Sequence, residues 1–157
     1  MNVTTIMKPD NPGNPNPTRV SADGDQGFGQ ISHEIEIRVR YQETDAQGYV
    51  HHSTYINYFE IGRIELLRAA GHSYRELEDQ GLVLVVADLG CRYFAPARYD
   101  DLLTLQTTVI RSRGARIRHE YELRRGTELV VRGFTVVAAV SPEGKVLRLP
   151  RWLQTGR

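Results

Sequence analysis

The sequence predicts an α+β fold, an antiparallel sheet of five to six strands wrapped around one long central helix. Three observations carry that prediction. A short alternating segment near residue 35 is followed by a single long apolar helical pattern over about residues 54–70. Every substantial segment after residue 82 has strand character. Glycine or proline turns separate those later segments. Strands gathered after one helix, rather than alternating with helices, point to this class.

Residues 1–30 read as a flexible leader. Lys8-Pro9-Asp10-Asn11-Pro12-Gly13-Asn14-Pro15-Asn16-Pro17 offers almost nothing apolar to bury, and its prolines lack backbone donors. Gly24-Asp25-Gln26-Gly27-Phe28-Gly29 has the glycines of a phosphate loop, but no apolar strand precedes it, so it is assigned to the leader. The folded domain is expected over residues 31–157.

The first strand begins near Ile31 or His33. Ile35, Ile37, Val39 and Tyr41 alternate with Glu34, Glu36, Arg38 and Arg40, the period of a half-buried strand. A loop follows over residues 42–52, with Gly48 free to take a left-handed turn. Ser53 or Thr54 is placed to cap the helix. Tyr55, Phe59, Gly62 and Leu66 recur at helical spacing, and Ile56, Leu67 and Ala70 widen the apolar face. A helix apolar over so much of its surface is expected to be largely buried. Gly71 suits its C-terminal cap. Residues 73–80 form a short second helix closed by Gly81.

Strands take over from there. Residues 82–94 are rich in valine and leucine and end at Pro96. Leu103, Leu105, Thr107 and Val109 alternate in the next strand, and Ile117, His119, Tyr121 and Leu123 in the one after Gly114. Residues 129–140 are a β-branched run after the Gly126 turn. Pro142-Glu143-Gly144 turns the chain into a short end strand at Val146 and Leu147. Such a sheet leaves open edges and an open face, which pairing of subunits resolves. A homo-oligomer is therefore expected.

Composition narrows the function classes. The chain of 157 residues is long enough for one domain with a proper core. A net charge of +1 gives no support for nucleic-acid binding by bulk electrostatics. No apolar run approaches a membrane span. Cys91 is the only cysteine, which excludes an internal disulfide and a cysteine-rich metal site. A cytoplasmic location is expected by elimination.

Residues 41–55 concentrate the chemistry: Tyr41-Gln42-Glu43-Thr44-Asp45-Ala46-Gln47-Gly48-Tyr49-Val50-His51-His52-Ser53-Thr54-Tyr55. This order sets a carboxylate, Asp45, beside the N-terminus of an apolar helix. Backbone N–H groups there point outward and carry partial positive charge. Donors of that kind hold a carbonyl oxygen while an acid acts on the carbon.

The same run resembles the hotdog-fold acyl-CoA thioesterases of the 4-hydroxybenzoyl-CoA thioesterase family, especially the YbgC-like branch. The matching residues are Arg40-Tyr41-Gln42-Glu43-Thr44-Asp45-Ala46-Gln47-Gly48-Tyr49-Val50-His51-His52 and Tyr55-Ile56-Asn57-Tyr58-Phe59-Glu60. Arg92-Tyr93-Phe94-Ala95-Pro96-Ala97-Arg98-Tyr99-Asp100-Asp101 adds a strand that ends in a proline turn and an acidic pair. The likeness covers about residues 35–140. It implies a hotdog fold and hydrolysis of an acyl- or aroyl-CoA to the free acid and coenzyme A. No cofactor is implied, since coenzyme A belongs to the substrate. Asp45 would be the catalytic carboxylate, as nucleophile or as general base toward water. The His52 backbone N–H would polarise the thioester carbonyl, and Gly48, Tyr49, His51 and Tyr55 would contact substrate. The assembly would be a homotetramer built from dimers. Two positions depart from the branch: Gln47 replaces a frequent glycine and His51 a frequent tyrosine.

Each candidate has a plainer reading. Asp45 alone would be a turn or capping aspartate. His51 and His52, adjacent in an extended loop, are expected to point apart and to bind no metal. His52 is either an orienting side chain or a packing one. His33, His72 and His119 are placed on exposed or partly buried faces. Glu60 and Arg63 pair along the helix, and Cys91 is a buried, inert thiol. The dense arginines of residues 111–132 either hold coenzyme A phosphates or solvate a sheet edge. Three functions stay open: a thioesterase, a non-catalytic acyl-CoA-binding module on the same fold, and a hotdog dehydratase. Presence of Asp45 favours the first, and the Asp/His spacing differs from the third.

Overall fold

The structure is a computed structural model that describes residues 31–155. The leader assigned to residues 1–30 lies outside the described residues. Five strands form one antiparallel sheet: β1 (Ser32–Arg38), β2 (Val83–Tyr93), β3 (Leu102–Arg113), β4 (Arg116–Arg125) and β5 (Glu128–Val140). Their order across the sheet is β1-β3-β4-β5-β2. Helix α1 (Thr54–Ala69) lies against one face and α2 (Tyr74–Asp79) follows it. The expected end strand reduces to a single bridge, Val140 with Val146, so among the described residues the sheet has five strands.

Strand alternation decides which face meets α1. Leu103, Leu105, Thr107 and Val109 of β3 are buried, as are Ile117, His119, Tyr121 and Leu123 of β4. Register sets Leu105 opposite Leu123 and Ile35, and Tyr121 opposite Gly133. The outer face carries Glu34, Gln106, Glu122 and Arg132 in the intervening positions. One extra residue in each of β2, β3 and β5 (Ala87, Ile110 and Val130) interrupts the ladders. Bulges of that kind raise the local twist and let the sheet curl around the helix.

Helix α1 packs through Phe59, which is fully buried and stacked on Tyr121 at 4.3 Å between ring centroids. A side chain at Gly133 would collide with the Phe59 ring, so the missing Cβ lets the aromatic lie on the strand. Burial of α1 is one-sided, less than the large burial expected: Tyr55, Tyr58, Phe59, Gly62, Leu66 and Leu67 are buried, while Ile61 is 40% exposed. Gly71 ends the helix with φ +87°, the left-handed cap its position predicts. Helix α2 is closed at its start by reciprocal hydrogen bonds between Ser73 and Glu76.

The valine-rich strand β2 occupies an edge, paired only with β5. Val85, Val86, Leu89 and Tyr93 are each 40–48% exposed there. A long apolar edge strand is a liability unless something covers it. Among the described residues, no helix is long and apolar enough to cross a membrane.

Candidate active site

Asp45 heads a tight hairpin between β1 and α1. Thr44 bridges to Val50, the Asp45 N–H donates to the Tyr49 carbonyl at 2.8 Å, and the Gly48 N–H donates to the Asp45 carbonyl at 2.9 Å. Gly48 sits at φ +78°, a region that glycine enters without a Cβ penalty. The carboxylate is half-buried. Its Oδ1 accepts from the Gln47 N–H at 2.8 Å and the Tyr49 N–H at 3.3 Å. Oδ2 accepts nothing among the described residues. One oxygen is thus anchored and the other is available.

The returning arm of the hairpin leads straight into α1. The Val50 N–H donates to the Ala97 carbonyl at 2.8 Å, fixing the arm to the loop of residues 94–101. His51 N–H donates to the Glu43 carbonyl, and Thr54 N–H to the His51 carbonyl, both at 2.9 Å. Ser53 N–H is taken by His51 Nδ1 at 3.3 Å. The His52 N–H alone in this run finds no acceptor among the described residues. It sits just ahead of α1, where the helix dipole adds positive potential.

The two histidines correct an expectation. Their rings do not point apart; they lie 4.1 Å apart at an interplanar angle of 34°. The chain turns at residues 52–53 rather than staying extended, which swings both rings to one side. His51 Nδ1 accepts from Ser53 N–H at 3.3 Å and lies 2.7 Å from Ser53 Oγ. Ser53 is the helix N-cap by position, but its hydroxyl serves His51 instead of the helix. Among the described residues no group of three or more His, Cys, Asp or Glu side chains is arranged to hold a metal ion.

Tyr49 is half-buried beneath Arg98, whose guanidinium stacks 4.5 Å above the ring and donates to its hydroxyl at 3.2 Å. Tyr55 is buried and meets Tyr58 and Tyr93 at 6.0 and 5.5 Å between ring centroids. Tyr93, on the edge strand, donates its hydroxyl to the His52 carbonyl at 3.0 Å. Cys91 is half-buried rather than buried, and burial raises its thiol above the ordinary value. Glu43, Tyr58, Tyr93 and Arg98 join this site without having been singled out from the sequence.

Other side chains settle elsewhere. His119 is buried beneath α1 with Nδ1 unpartnered, against the expectation of an exposed or partly buried face. Arg63 is buried beside it and pairs with Glu60 at 3.1 Å. Arg124 and Arg132 are tied to Glu122, and Arg125 to Asp101 and Glu128. Arg111, Arg113, Arg116 and Arg118 surround a concavity of about 430 Å³ at the β3–β4 hairpin. A larger one, about 760 Å³, opens on the outer sheet face between Ile110, Arg118, Glu122, Arg132 and Phe134 and touches none of residues 45–55. In one copy, Asp45 therefore lies outside both concavities and stays half open.

Residues 47–132 match the Thioesterase superfamily. The chain is 38% identical over 117 residues to an acyl-CoA thioesterase YbgC of Haemophilus influenzae, covering 74% of this chain and 82% of that protein. A probable thioesterase from Bartonella henselae superposes with a TM-score of 0.72 at 35% identity, covering 76% of this chain and 99% of that one. A DHNA-CoA thioesterase from Staphylococcus aureus gives 0.74 at 31% identity, covering 78% and 83%. With its sheet wrapped on one helix and these likenesses to known proteins, the chain belongs to the Thioesterase superfamily, as a hotdog-fold thioester hydrolase related to YbgC.

Proposed function

We propose that this chain is an acyl-CoA thioesterase, hydrolysing an acyl- or aroyl-CoA to the free acid and coenzyme A with Asp45 as the essential carboxylate. One observation carries the proposal. The free Oδ2 of Asp45 and the unpaired N–H of His52 occupy the two arms of one short, heavily hydrogen-bonded segment. A thioester whose carbonyl oxygen accepts from His52 N–H would present its carbon toward that acid. Negative charge then grows on an oxygen already facing a donor and a helix N-terminus.

Two routes use the same atoms. As general base, Asp45 takes a proton from water while the water oxygen bonds to the carbonyl carbon. As nucleophile, Oδ2 bonds to that carbon to form a mixed anhydride, which water then opens to release the acid and restore the Asp45 carboxylate. In both, the C–S bond breaks and coenzyme A leaves as a thiolate that takes up a proton. A thiolate leaves readily, so one carboxylate suffices, with water as the co-reactant and no cofactor. Tyr49, His51 and Tyr55 are proposed to contact substrate, with Gly48 keeping the backbone close. Arg111, Arg113 and Arg116 are candidates for the coenzyme A phosphates.

A second copy is proposed to complete the site. The bare apolar edge of β2 adjoins it through Tyr93, and Asp45 is half open in one copy. Edge-to-edge pairing of two β2 strands would cover both, and the mixed arginine and glutamate outer face supports a further pairing of dimers into a tetramer. A cytoplasmic location goes with this proposal.

Release of free thiol from short, long and aromatic acyl-CoAs tests the assignment. Asp45→Asn should fold normally and lose about 10²–10⁴-fold in kcat. Full activity in that variant removes Asp45 from its role. No turnover by either protein, with acyl-CoA still bound, makes the chain a binding module instead. Single turnover in ¹⁸O-water reads the route: label found in Asp45 requires an anhydride opened at the aspartyl carbon, whereas label in the acid alone fits direct attack by water or opening at the acyl carbon.

A further inference from the structure

We propose that Glu43 is a positioning residue for this reaction, setting Asp45 and the His52 N–H at their working separation through Tyr58 of helix α1; this rests on the proposed roles of Asp45 and His52.

Glu43 sits where the two arms of the site meet. Its main-chain carbonyl accepts from His51 N–H at 2.9 Å and from the Thr54 hydroxyl at 3.4 Å. Its side-chain Oε2 accepts from the Arg40 N–H and from the Tyr58 hydroxyl, both at 2.7 Å. One residue thus binds the loop entrance, the residue before His52 and the first two turns of α1. Asp45 follows it by two residues. Moving Glu43 relative to the helix therefore moves the acid relative to the donor.

The chemistry of the pair suits a fixed strut. Tyr58 is 1% exposed, so its hydroxyl needs a partner inside the fold. Burial, then the Glu43 carboxylate, raise the Tyr58 pKa, keeping it a proton donor. A phenol donating to a carboxylate is a charge-assisted bond, short and stronger than a neutral one. Neither group touches the reacting atoms, so neither is catalytic. Their effect is geometric, and a misplacement near 1 Å costs up to about 10²-fold in rate.

The test is steady-state hydrolysis of the best acyl-CoA by wild type, Tyr58→Phe, Glu43→Ala, Glu43→Gln, the Tyr58→Phe/Glu43→Ala pair and Asp45→Asn. Tyr58→Phe removes one oxygen and keeps the ring. It and Glu43→Ala should each lower kcat by about 10- to 100-fold with KM within about threefold. The double variant should be no worse than the worse single, because both cut one strut. Glu43→Gln keeps an acceptor oxygen for both donors and should restore most of kcat. Wild-type kcat in Tyr58→Phe and Glu43→Ala, multiplying losses in the double, or no rescue by glutamine overturns the proposal. If Glu43→Ala does not fold, Tyr58→Phe against wild type decides. An inert Asp45→Asn beside fully active strut variants defeats the positioning role alone, whereas a fully active Asp45→Asn defeats the assignment of the acid as well.

Discussion

Gly62 of helix α1 lies directly on Thr107 of strand β3: a Cβ at Gly62 would overlap Thr107 Oγ1 and stand 2.8 Å from Leu105 Cδ2. Thr107 is 1% exposed and Leu105 is fully buried, so the strand face beneath the helix has no open space to yield into. Gly62→Ala gains helix propensity of about 1 kcal/mol. It loses more by lifting the helix from the sheet, since overpacking a filled core costs about 1–3 kcal/mol. The net expectation is destabilisation, read as a lower midpoint in urea unfolding with an unchanged slope. A variant as stable as wild type would show that the helix can shift without cost.

His119 makes stability depend on pH. It faces Arg63 of α1 and its own neighbour Tyr121, with Thr135 of β5 opposite. Burial, then the Arg63 charge, lower its pKa from the ordinary 6.5 to about 3. The unfolded chain takes up the proton near 6.5, so between these values it holds one proton more than the native state. Stability is therefore complete above 6.5 and falls as pH falls, by about 1.4 kcal/mol per unit while only this group titrates. Urea midpoints at pH 7.5, 6.0 and 5.0 should decline for wild type. In His119→Gln the decline should be much shallower. Parallel curves would assign the acid sensitivity to other groups.

The pattern of burial explains what the sequence disclosed and what it hid. The alternation of Ile35 and Ile37, the helix from residue 54 and the glycine turns are local signals, and each appears where it was expected. Gly48 and Asp45 were legible for the same reason, because a hairpin of five residues is decided by its own atoms. Glu43 and Tyr58 were not, because they are 15 residues apart and meet only after α1 docks. Their spacing offered no mark beyond a glutamate near an aspartate. His119 looked like one member of an alternating strand, and alternation cannot say which face receives a buried arginine. Residues 82–94 read as a strand by composition. Their edge position became visible only through the strand order.

Tyr93 tests the link between that edge and the chemistry. Its hydroxyl donates to the His52 carbonyl at 3.0 Å from a strand that is otherwise exposed. Tyr93→Phe removes one partly solvated hydrogen bond, so stability should change by at most about 1 kcal/mol. The His52 carbonyl loses its restraint, however, and kcat should fall roughly three- to tenfold as the N–H, one Cα away in the preceding peptide, is less well aimed. An unchanged kcat would mean that the helix start alone orients the peptide.

The free edge of β2 leads to a prediction about assembly. Leu89 is 42% exposed there, beside Val85 and Val86. A lysine at this position costs a monomer little, because open edges tolerate and use lysine. Between two paired edges it places like charges face to face across a desolvated seam. Wild type should sediment as a dimer or tetramer of the 17.8 kDa chain, and Leu89→Lys should shift toward the single chain. Unfolding of the separated chain should stay within about 1 kcal/mol of a similarly diluted wild type. Thiol release should fall with the loss of dimer and recover as protein concentration rises, because association follows mass action. A wild type that sediments as one chain at assay concentration, yet hydrolyses acyl-CoA at full rate, would show that one copy holds the whole site.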